Sequence, residues 1–157
     1  MKTDDLFSRF LEIIDALEKE KVDYVLIGGF AMVLYGMPRA TQDIDIFIKH
    51  REENIERLQK ALFTIFNNKD VFEITFSEFK KYPVIRYGAE EGYYVDILAN
   101  IESAFSFEDL IFEELAIEGH KIKIASVETL YKLKEKTLRA IDKSDILFLK
   151  KLMKNKQ

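Results

Sequence analysis

Two aspartates, Asp43 and Asp45, lie two residues apart in the alternating stretch QDIDIFIK. In a β-strand such residues project from the same face, roughly 7 Å apart at the backbone, so both carboxylates can reach one or two divalent cations between them. The chain has no cysteine, and its two histidines, His50 and His120, are far apart. The ligands are then carboxylate oxygens, which suit Mg²⁺ or Mn²⁺ better than Zn²⁺. The alternative is a strand face that simply exposes two acids to water.

A glycine pair, Gly28-Gly29, ends the apolar run at residues 24–27 and precedes a short helical stretch. Free backbone N–H groups at the start of a helix favour an anion such as a phosphate. Because glycine has no Cβ, a phosphate chain can approach the backbone closely at both positions. The alternative is that the pair only makes a tight turn from strand to helix.

A third acid, Asp96, lies in the middle of the apolar stretch YYVDIL. A buried carboxylate costs free energy unless it is paired or binds a metal. If its strand lies beside the strand of Asp43 and Asp45, three carboxylates converge and a two-metal site is feasible. The alternative is an ion pair with a lysine or arginine, for which Arg86 on the preceding strand is the candidate.

Hydrophobic periodicity predicts the elements that position these residues. Apolar residues at helical spacing predict helices at 3–20, 30–35, 52–66, 126 to about 139, and 144–153. Short apolar or alternating runs predict strands at 24–27, 42–49, 71–76, 84–87, 93–98 and 120–124. The expected fold class is α/β (or α+β): a mixed β-sheet flanked by helices, followed by a C-terminal helical segment.

The 157 residues, 48% hydrophobic and 33% charged, predict one globular domain spanning 1–157. It divides into a sheet-containing body (1–125) and C-terminal helices (126–157). The N-terminal stretch MKTDDLFSRF lacks the basic and then apolar pattern of a secretion signal. The most apolar stretch, 24–37, is too short to span a membrane and is interrupted by glycines. We therefore expect a cytoplasmic protein without a membrane partner.

Charge is unevenly distributed along the chain. Residues 126–157 carry nine Lys or Arg against four acids, whereas residues 1–125 carry 15 against 24. A basic helical segment on an acidic body could attract a phosphate-bearing partner. The alternative is that these lysines form a solvated helix face. Nonspecific DNA binding is not indicated for a chain this acidic overall.

The three motifs occur together in a recognisable order. Gly28-Gly29, thirteen intervening residues, Asp43-x-Asp45 and the later Asp96 resemble the nucleotidyltransferase superfamily with the DNA polymerase β-like fold. The stretch RATQDID, residues 39–45, is especially similar to its small prokaryotic branches, which include the AbiEii-like toxins. The resemblance covers residues 22–49 well and 82–99 moderately. The run Lys134-x₄-Arg139-x₂-Asp142-x₂-Asp145 is similar to a helical signature of that group, though less specifically.

The resemblance implies a reaction in which an acceptor group attacks the α-phosphate of a nucleoside triphosphate and pyrophosphate leaves. Metal ions at the attacking and leaving oxygens are what such a displacement needs. It also implies roles for individual residues. Gly28 and Gly29 hold the triphosphate, Asp43 and Asp45 bind both metals, and Asp96 binds the catalytic metal and activates the acceptor oxygen. Lys134, Arg39 and Thr41 are further candidates for nucleotide binding, the two cations by neutralising phosphate charge. For Thr41 the alternative is that it only orients the turn before the strand. For Lys134 and Arg39 the alternative is plain surface charge.

Two departures from the wider superfamily limit what the resemblance implies. The usual Gly-Ser is Gly-Gly here, so a serine contact to phosphate is missing, and no large acceptor-binding helical domain follows the sheet. The acceptor, whether tRNA, protein or small molecule, is left open, as is the nucleotide. A toxin with an antitoxin partner, or a homo-oligomer, is compatible with this analogy. The rival hypothesis is a non-catalytic nucleotide- or partner-binding module that keeps the fold. Retention of three costly aspartates favours the enzyme.

Overall fold

The computed structural model describes residues 3–99, 106–135 and 140–155, with side chains described from Asp5 onward and, in the last helix, from Ser144. The helices are α1 (Thr3–Lys19), α2 (Gly28–Leu34), α3 (Glu52–Phe66), α4 (Phe76–Lys81), α5 (Val127–Lys134) and α6 (Ala140–Asn155). The strands are β1 (Tyr24–Ile27), β2 (Asp43–Ile48), β3 (Val84–Gly88), β4 (Tyr94–Leu98), β5 (Phe112–Ile117) and β6 (His120–Ala125). The expected α/β class, with a mixed sheet flanked by helices, is confirmed.

The six strands form one sheet in the order β3-β4-β2-β1-β6-β5. The central strand β2 runs antiparallel to β1 and parallel to β4, and β1 runs parallel to β6. The hairpins β3–β4 and β5–β6 form the two sides of the sheet. This order places β4 directly beside β2, which is the arrangement that the three aspartates need in order to meet.

The two faces of β2 differ as the alternation predicts. Ile44, Ile46 and Ile48 are fully buried, whereas Asp43 and Asp45 remain partly exposed on the opposite face. The buried isoleucines belong to one apolar cluster with the inward-facing residues of the helices, among them Phe10, Ile13 and Leu17 of α1, Leu58 and Leu62 of α3, Leu130 of α5 and Leu149 of α6. Burial of the isoleucines therefore holds β2 in register, because a one-residue slip would exchange the two faces.

The prediction of a strand at 71–76 is wrong. Residues 69–73 form a 3₁₀ turn, and α4 begins at Phe76. The Asn68 side chain accepts a hydrogen bond from the Asp70 N–H, and the Thr75 side chain accepts one from the Glu78 N–H. These local caps stabilise helical turns, and they outweigh the strand preference of the apolar residues between them.

The strand β5 was not predicted from the sequence. It is an edge strand with mostly exposed side chains, so it lacks a clear apolar alternation. Its turn to β6 consists of Glu118 and Gly119, both at positive φ (50° and 84°), as the tight turn of a two-residue hairpin requires. The Glu-Gly pair was the available signal for a hairpin at this point.

The predicted helix boundaries agree with the structure with three differences. Helix α2 begins at Gly28, two residues earlier than expected, so the glycine pair lies in its first turn. Helix α5 begins after the Ser126 cap and is described to Lys134, whereas part of the predicted extension, 136–139, lies outside the described residues. Helix α6 begins at Ala140 rather than 144. The division into 1–125 and 126–157 within one domain stays a prediction.

None of the helices within the described ranges is long and apolar enough to cross a membrane.

Candidate active site

The three aspartates meet on one face of the sheet at the β2–β4 pair. Asp45 lies directly opposite Asp96 in the parallel register, and Asp43 lies opposite Tyr94. Asp96 is 8% exposed, while Asp43 and Asp45 are partly exposed. Burial, followed by the neighbouring charges of Asp96 and Asp43, raises the pKa of Asp45 to about 7. The crowded carboxylates thus form a site of concentrated negative charge.

An arginine from the edge strand β3 contacts this group. Arg86 lies opposite Asp96 in the antiparallel register. Its Nε donates to Asp96 Oδ1 at 2.8 Å and its Nη2 donates to Asp96 Oδ2 at 2.9 Å, while Nη2 also lies 3.4 Å from Asp43 Oδ2. The guanidinium carbon lies 4.4 Å from the centroid of the Tyr94 ring. Asp96 therefore has the arginine partner that was expected as the alternative to a metal ion.

The glycine pair lies against Asp45 because Ile27, which precedes it, is the register partner of Asp45. Gly28 has a φ of +75°, and a Cβ there would lie 2.7 Å from the Cβ of Asp45. A Cβ on Gly29 would lie 2.7 Å from Thr41 Oγ1. Since real Cβ atoms do not approach so closely, both positions require glycine if the aspartate and threonine side chains keep their places.

Thr41 shapes the entry into β2. Its hydroxyl donates to the carbonyl of Asp43 at 3.1 Å and lies 3.4 Å from the backbone nitrogen of the same residue. Such a local hydroxyl turn fixes the backbone two residues further on. The structure thus places Thr41 between Gly29 and the first of the aspartates.

The two expected phosphate-binding cations, Arg39 and Lys134, converge on a buried acid. Arg39 Nη1 donates to both carboxylate oxygens of Asp145, at 2.8 and 2.6 Å, and Lys134 Nζ lies 3.2 Å from Asp145 Oδ2. The Asp145 side chain is fully buried, and those of Arg39 and Lys134 are only 16% and 14% exposed. The alternative of plain surface charge is therefore wrong for both cations.

This cluster faces the carboxylate site. The positive charge of Lys134 opposes the rise in the pKa of Asp45, which places the amino group within electrostatic reach of that carboxyl. Arg39 Nη2 lies 3.5 Å from the position of a Cβ on Gly29. Arg39 Nε is buried, and it has no hydrogen-bond partner within the described part of the chain. A buried donor of this kind indicates that an acceptor group can bind beside Gly29.

The carboxylate group offers oxygen donors to a divalent cation. Across residues 3–99, 106–135 and 140–155, no three His, Cys, Asp or Glu side chains are arranged as a metal-ion site. The donors are nevertheless the hard carboxylate oxygens that Mg²⁺ and Mn²⁺ prefer. Burial first, and then the charges of Asp96 and Asp43, raise the pKa of Asp45, and a divalent cation would favour its charged form. By donor chemistry and charge, the residues fit such an ion.

A family model for aminoglycoside-2''-adenylyltransferases matches residues 9–149, which is most of the chain. The chain belongs to this family. No curated protein matches at a significant level. The matched region includes every residue of the carboxylate group and of the Arg39–Asp145–Lys134 cluster.

Solved structures share the fold of this adenylyltransferase family member. A nucleotidyltransferase-like antigen from Paracoccidioides brasiliensis is 21% identical, with a TM-score of 0.62 over 97% of this chain and 78% of the other. The lincosamide antibiotic adenylyltransferase LnuA, solved with lincomycin, is 24% identical, with a TM-score of 0.56 over 91% and 95%. ANT(2'')-Ia, solved with adenylyl-2''-tobramycin, is 13% identical, with a TM-score of 0.55 over 96% and 90%.

Family membership confirms the nucleotidyltransferase superfamily and identifies the chain as an enzyme. It gives no specific support to the AbiEii-like branch that the stretch at 39–45 resembled. The roles of the eight named residues stay predictions, although the structure brings all eight to one region. Of the helical signature, Arg139 and the side chain of Asp142 lie outside the described residues.

Asp145 is the site residue whose importance the sequence analysis missed. The predicted helix at 144–153 places Asp145 in a first turn, where an acid is common, but α6 begins at Ala140 and Asp145 is completely buried. The available signal was its spacing from the buried Leu149, because residues four apart lie on the same helix face. An acid on the apolar side of a helix requires a partner, and Arg39 and Lys134 supply it.

Proposed function

We propose that this nucleotidyltransferase depends on a divalent metal ion and transfers a nucleoside monophosphate from a nucleoside triphosphate to a hydroxyl group of a small-molecule acceptor. The observation that carries the proposal is the register pairing of Asp45 with Asp96, with Asp43 on the same face and Gly28 against Asp45. This arrangement puts three carboxylates beside a backbone segment that a phosphate chain can approach closely.

Asp43, Asp45 and Asp96 would hold Mg²⁺ or Mn²⁺, which when bound neutralises charge on the phosphate oxygens and lowers the pKa of an acceptor hydroxyl. Gly28 and Gly29 leave room for the triphosphate beside β2. The buried Nε of Arg39 is available to donate to a phosphate oxygen. Lys134 contributes positive charge near Asp45 and the bound phosphates. Asp96 would accept the proton of the acceptor hydroxyl.

The acceptor we propose is an antibiotic-like compound that carries amino groups. The family model supports this class, as does the product bound to ANT(2'')-Ia. A groove of about 710 Å³ runs along β3, and three acids, Asp70, Glu73 and Glu78, line it together with Arg86. Acidic walls attract a cationic acceptor. Acceptance of tRNA or protein, a toxin role with an antitoxin partner, a homo-oligomer and a cytoplasmic location stay predictions.

The first experiment is calorimetric titration of a non-hydrolysable ATP or GTP analogue with Mg²⁺. It compares the wild type with Asp43→Ala/Asp45→Ala and with a control, Glu53→Ala/Glu56→Ala, whose acids are exposed on α3. We expect metal-dependent binding in the wild type and the control, and none in the aspartate variant. Binding that survives loss of both aspartates would favour the rival, a nucleotide-binding module that does not use this site for catalysis.

The second experiment is transfer of label from each of the four α-labelled nucleoside triphosphates to aminoglycosides, lincosamides and tRNA. We expect labelled antibiotic that disappears with Asp96→Asn. The charge of the groove is tested with Glu73→Gln/Glu78→Gln, which should raise the KM for a cationic acceptor and leave the KM for the nucleotide unchanged. Inactivity with every nucleotide and acceptor would contradict the proposal.

A further inference from the structure

We propose that Arg86 is a built-in competitor of the metal ion: its guanidinium holds Asp96 and Asp43 together, and a divalent cation binds by displacing it toward the groove along β3. This inference rests on the proposed metal-dependent function. Arg86 is then a positioning residue: it contacts the carboxylates but does not itself bind the metal ion.

The hydrogen bonds of Arg86 use the oxygens that a metal ion would need. Both oxygens of Asp96 accept from the guanidinium, at 2.8 and 2.9 Å, and the same Nη2 lies 3.4 Å from Asp43 Oδ2. A bidentate pair of this kind fixes the carboxylate plane as well as its charge. A cation placed between Asp43 and Asp96 therefore meets the guanidinium in the same space.

The charges favour the exchange. Three carboxylates lie on one face here, while Arg39 and Lys134, two cations near the site, both contact the buried Asp145. Arg86 brings one positive charge to the group, whereas Mg²⁺ or Mn²⁺ brings two in a much smaller volume. Arg86 contacts Asp96 and Asp43, while Asp45 lies beside Asp96 in the strand register. A divalent ion between the strands would bring its charge to all three carboxylates.

The structure gives the displaced side chain a place to lie. Arg86 is on an edge strand and its side chain is 52% exposed. Its guanidinium already lies 4.4 Å from the Tyr94 ring centroid, a cation–π contact that does not depend on the aspartates. Arg86 also lines the groove that contains Asp70, Glu73 and Glu78. A rotation of the Arg86 side chain would move the guanidinium from the aspartates toward the acids of the groove. Its positive charge would then still lie near carboxylates after the metal ion has displaced it.

The test measures Mn²⁺ binding by electron paramagnetic resonance without nucleotide, in the wild type, Arg86→Gln and Arg86→Lys. The control is Arg57→Gln, which removes an exposed arginine from α3. We expect Arg86→Gln to bind Mn²⁺ about tenfold more tightly, since loss of a competing charge-assisted pair is of that order. Arg86→Lys keeps the charge without the planar fork and should lie between the two. Arg57→Gln should match the wild type.

Two further readouts separate competition from a merely structural role. Without metal, the thermal midpoint of Arg86→Gln should fall below that of the wild type, and saturating Mn²⁺ should remove the difference. In the ¹⁵N-labelled wild type, the Arg86 Nε–H resonance, assigned by its loss in Arg86→Gln, should shift as Mg²⁺ is added. If Arg86→Gln does not fold, the loss of the resonance in the more conservative Arg86→Lys provides the same assignment.

Unchanged or weaker Mn²⁺ binding in Arg86→Gln would overturn the inference. So would an Nε–H resonance that stays in place at Mg²⁺ concentrations where the wild type binds the ion. A wild type that binds neither Mn²⁺ nor nucleotide, together with an Arg86→Gln variant that also binds no Mn²⁺, would overturn the proposed metal dependence as well. Metal binding that appears only after Arg86 is removed would support the competition in its strongest form. The outcomes thus distinguish failure of this inference from failure of the proposed function.

Discussion

Arg39 and Asp145 are 106 residues apart in sequence, yet the Arg39 guanidinium donates two hydrogen bonds to the Asp145 carboxylate, at 2.6 and 2.8 Å. The carboxylate is fully buried, and Lys134 Nζ contacts it from α5. Arg39 belongs to the segment between α2 and β2, so this contact joins the last helix to the loop that precedes Asp43 and Asp45. The position of that loop depends on α6.

Substitution of Asp145 by asparagine should destabilise the protein strongly. Removing one partner of a buried ion pair leaves the other charges uncompensated, here the cations of Arg39 and Lys134. We expect a loss of about 3 kcal/mol in the free energy of unfolding, measured by urea denaturation. Glu56→Gln, the same chemical change on an exposed helix face, is the control. A loss below about 1 kcal/mol would show that the pair contributes as little as an exposed one.

Gly28→Ala should reduce transfer activity far more than it reduces stability. A Cβ at Gly28 would lie 2.7 Å from the Asp45 Cβ, so the aspartate side chain must move. Displacement of a catalytic group by about 1 Å can lower the rate on the order of 100-fold. The matched control is Gly119→Ala, because Gly119 also has a positive φ (84°) but no atom within 4 Å of its Cβ position.

Both glycine variants introduce backbone strain of roughly 1 kcal/mol, which thermal unfolding will register in each. Steady-state kinetics will then isolate the contact with Asp45. Equal activity in the two variants would show that the aspartate accommodates a methyl group, and the proposed requirement for glycine at position 28 would be wrong.

Asp45→Asn should make the stability of the protein less dependent on pH. Burial and the charge of Asp96 raise the pKa of Asp45 from its ordinary value of 3.8 to about 7 in the folded protein. The folded state therefore holds this proton more tightly than the unfolded state. The resulting stabilisation is complete below about pH 4 and is lost as the pH rises toward 7. Asparagine has no proton to lose in this range.

The measurement is the thermal midpoint at pH 5 and pH 8 with chelator present, so that adventitious metal does not bind the aspartates. The midpoint of the wild type should fall relative to that of Asp45→Asn, leaving a gap on the order of 5 °C at pH 8. The control Glu56→Gln provides the background dependence of the rest of the chain. Parallel pH profiles for the wild type and Asp45→Asn would show that folding does not raise the pKa of Asp45.

Local patterns in the sequence determined most of the elements and the face on which the aspartates lie. The alternation of Asp43, Ile44, Asp45 and Ile46 can bury its apolar side only if both acids point the other way. The glycine pair after β1 and the isolated acid in β4 carry similar local information, because close backbone approach and buried charge each require a specific residue type. The strand prediction at 71–76 was wrong because side-chain caps stabilise helical turns in that segment.

Only the tertiary structure decided which charges meet. The contacts of Asp96 with Asp45 and Arg86 depend on strand order and register, and that of Asp145 with Arg39 depends on how α6 packs against the body. Periodicity specifies the face on which a residue lies, but the partner across that face comes from a distant segment. A buried charge is neutralised by a residue that it meets only after folding. The sequence therefore indicated which residues form the site, but not which of them pair with one another.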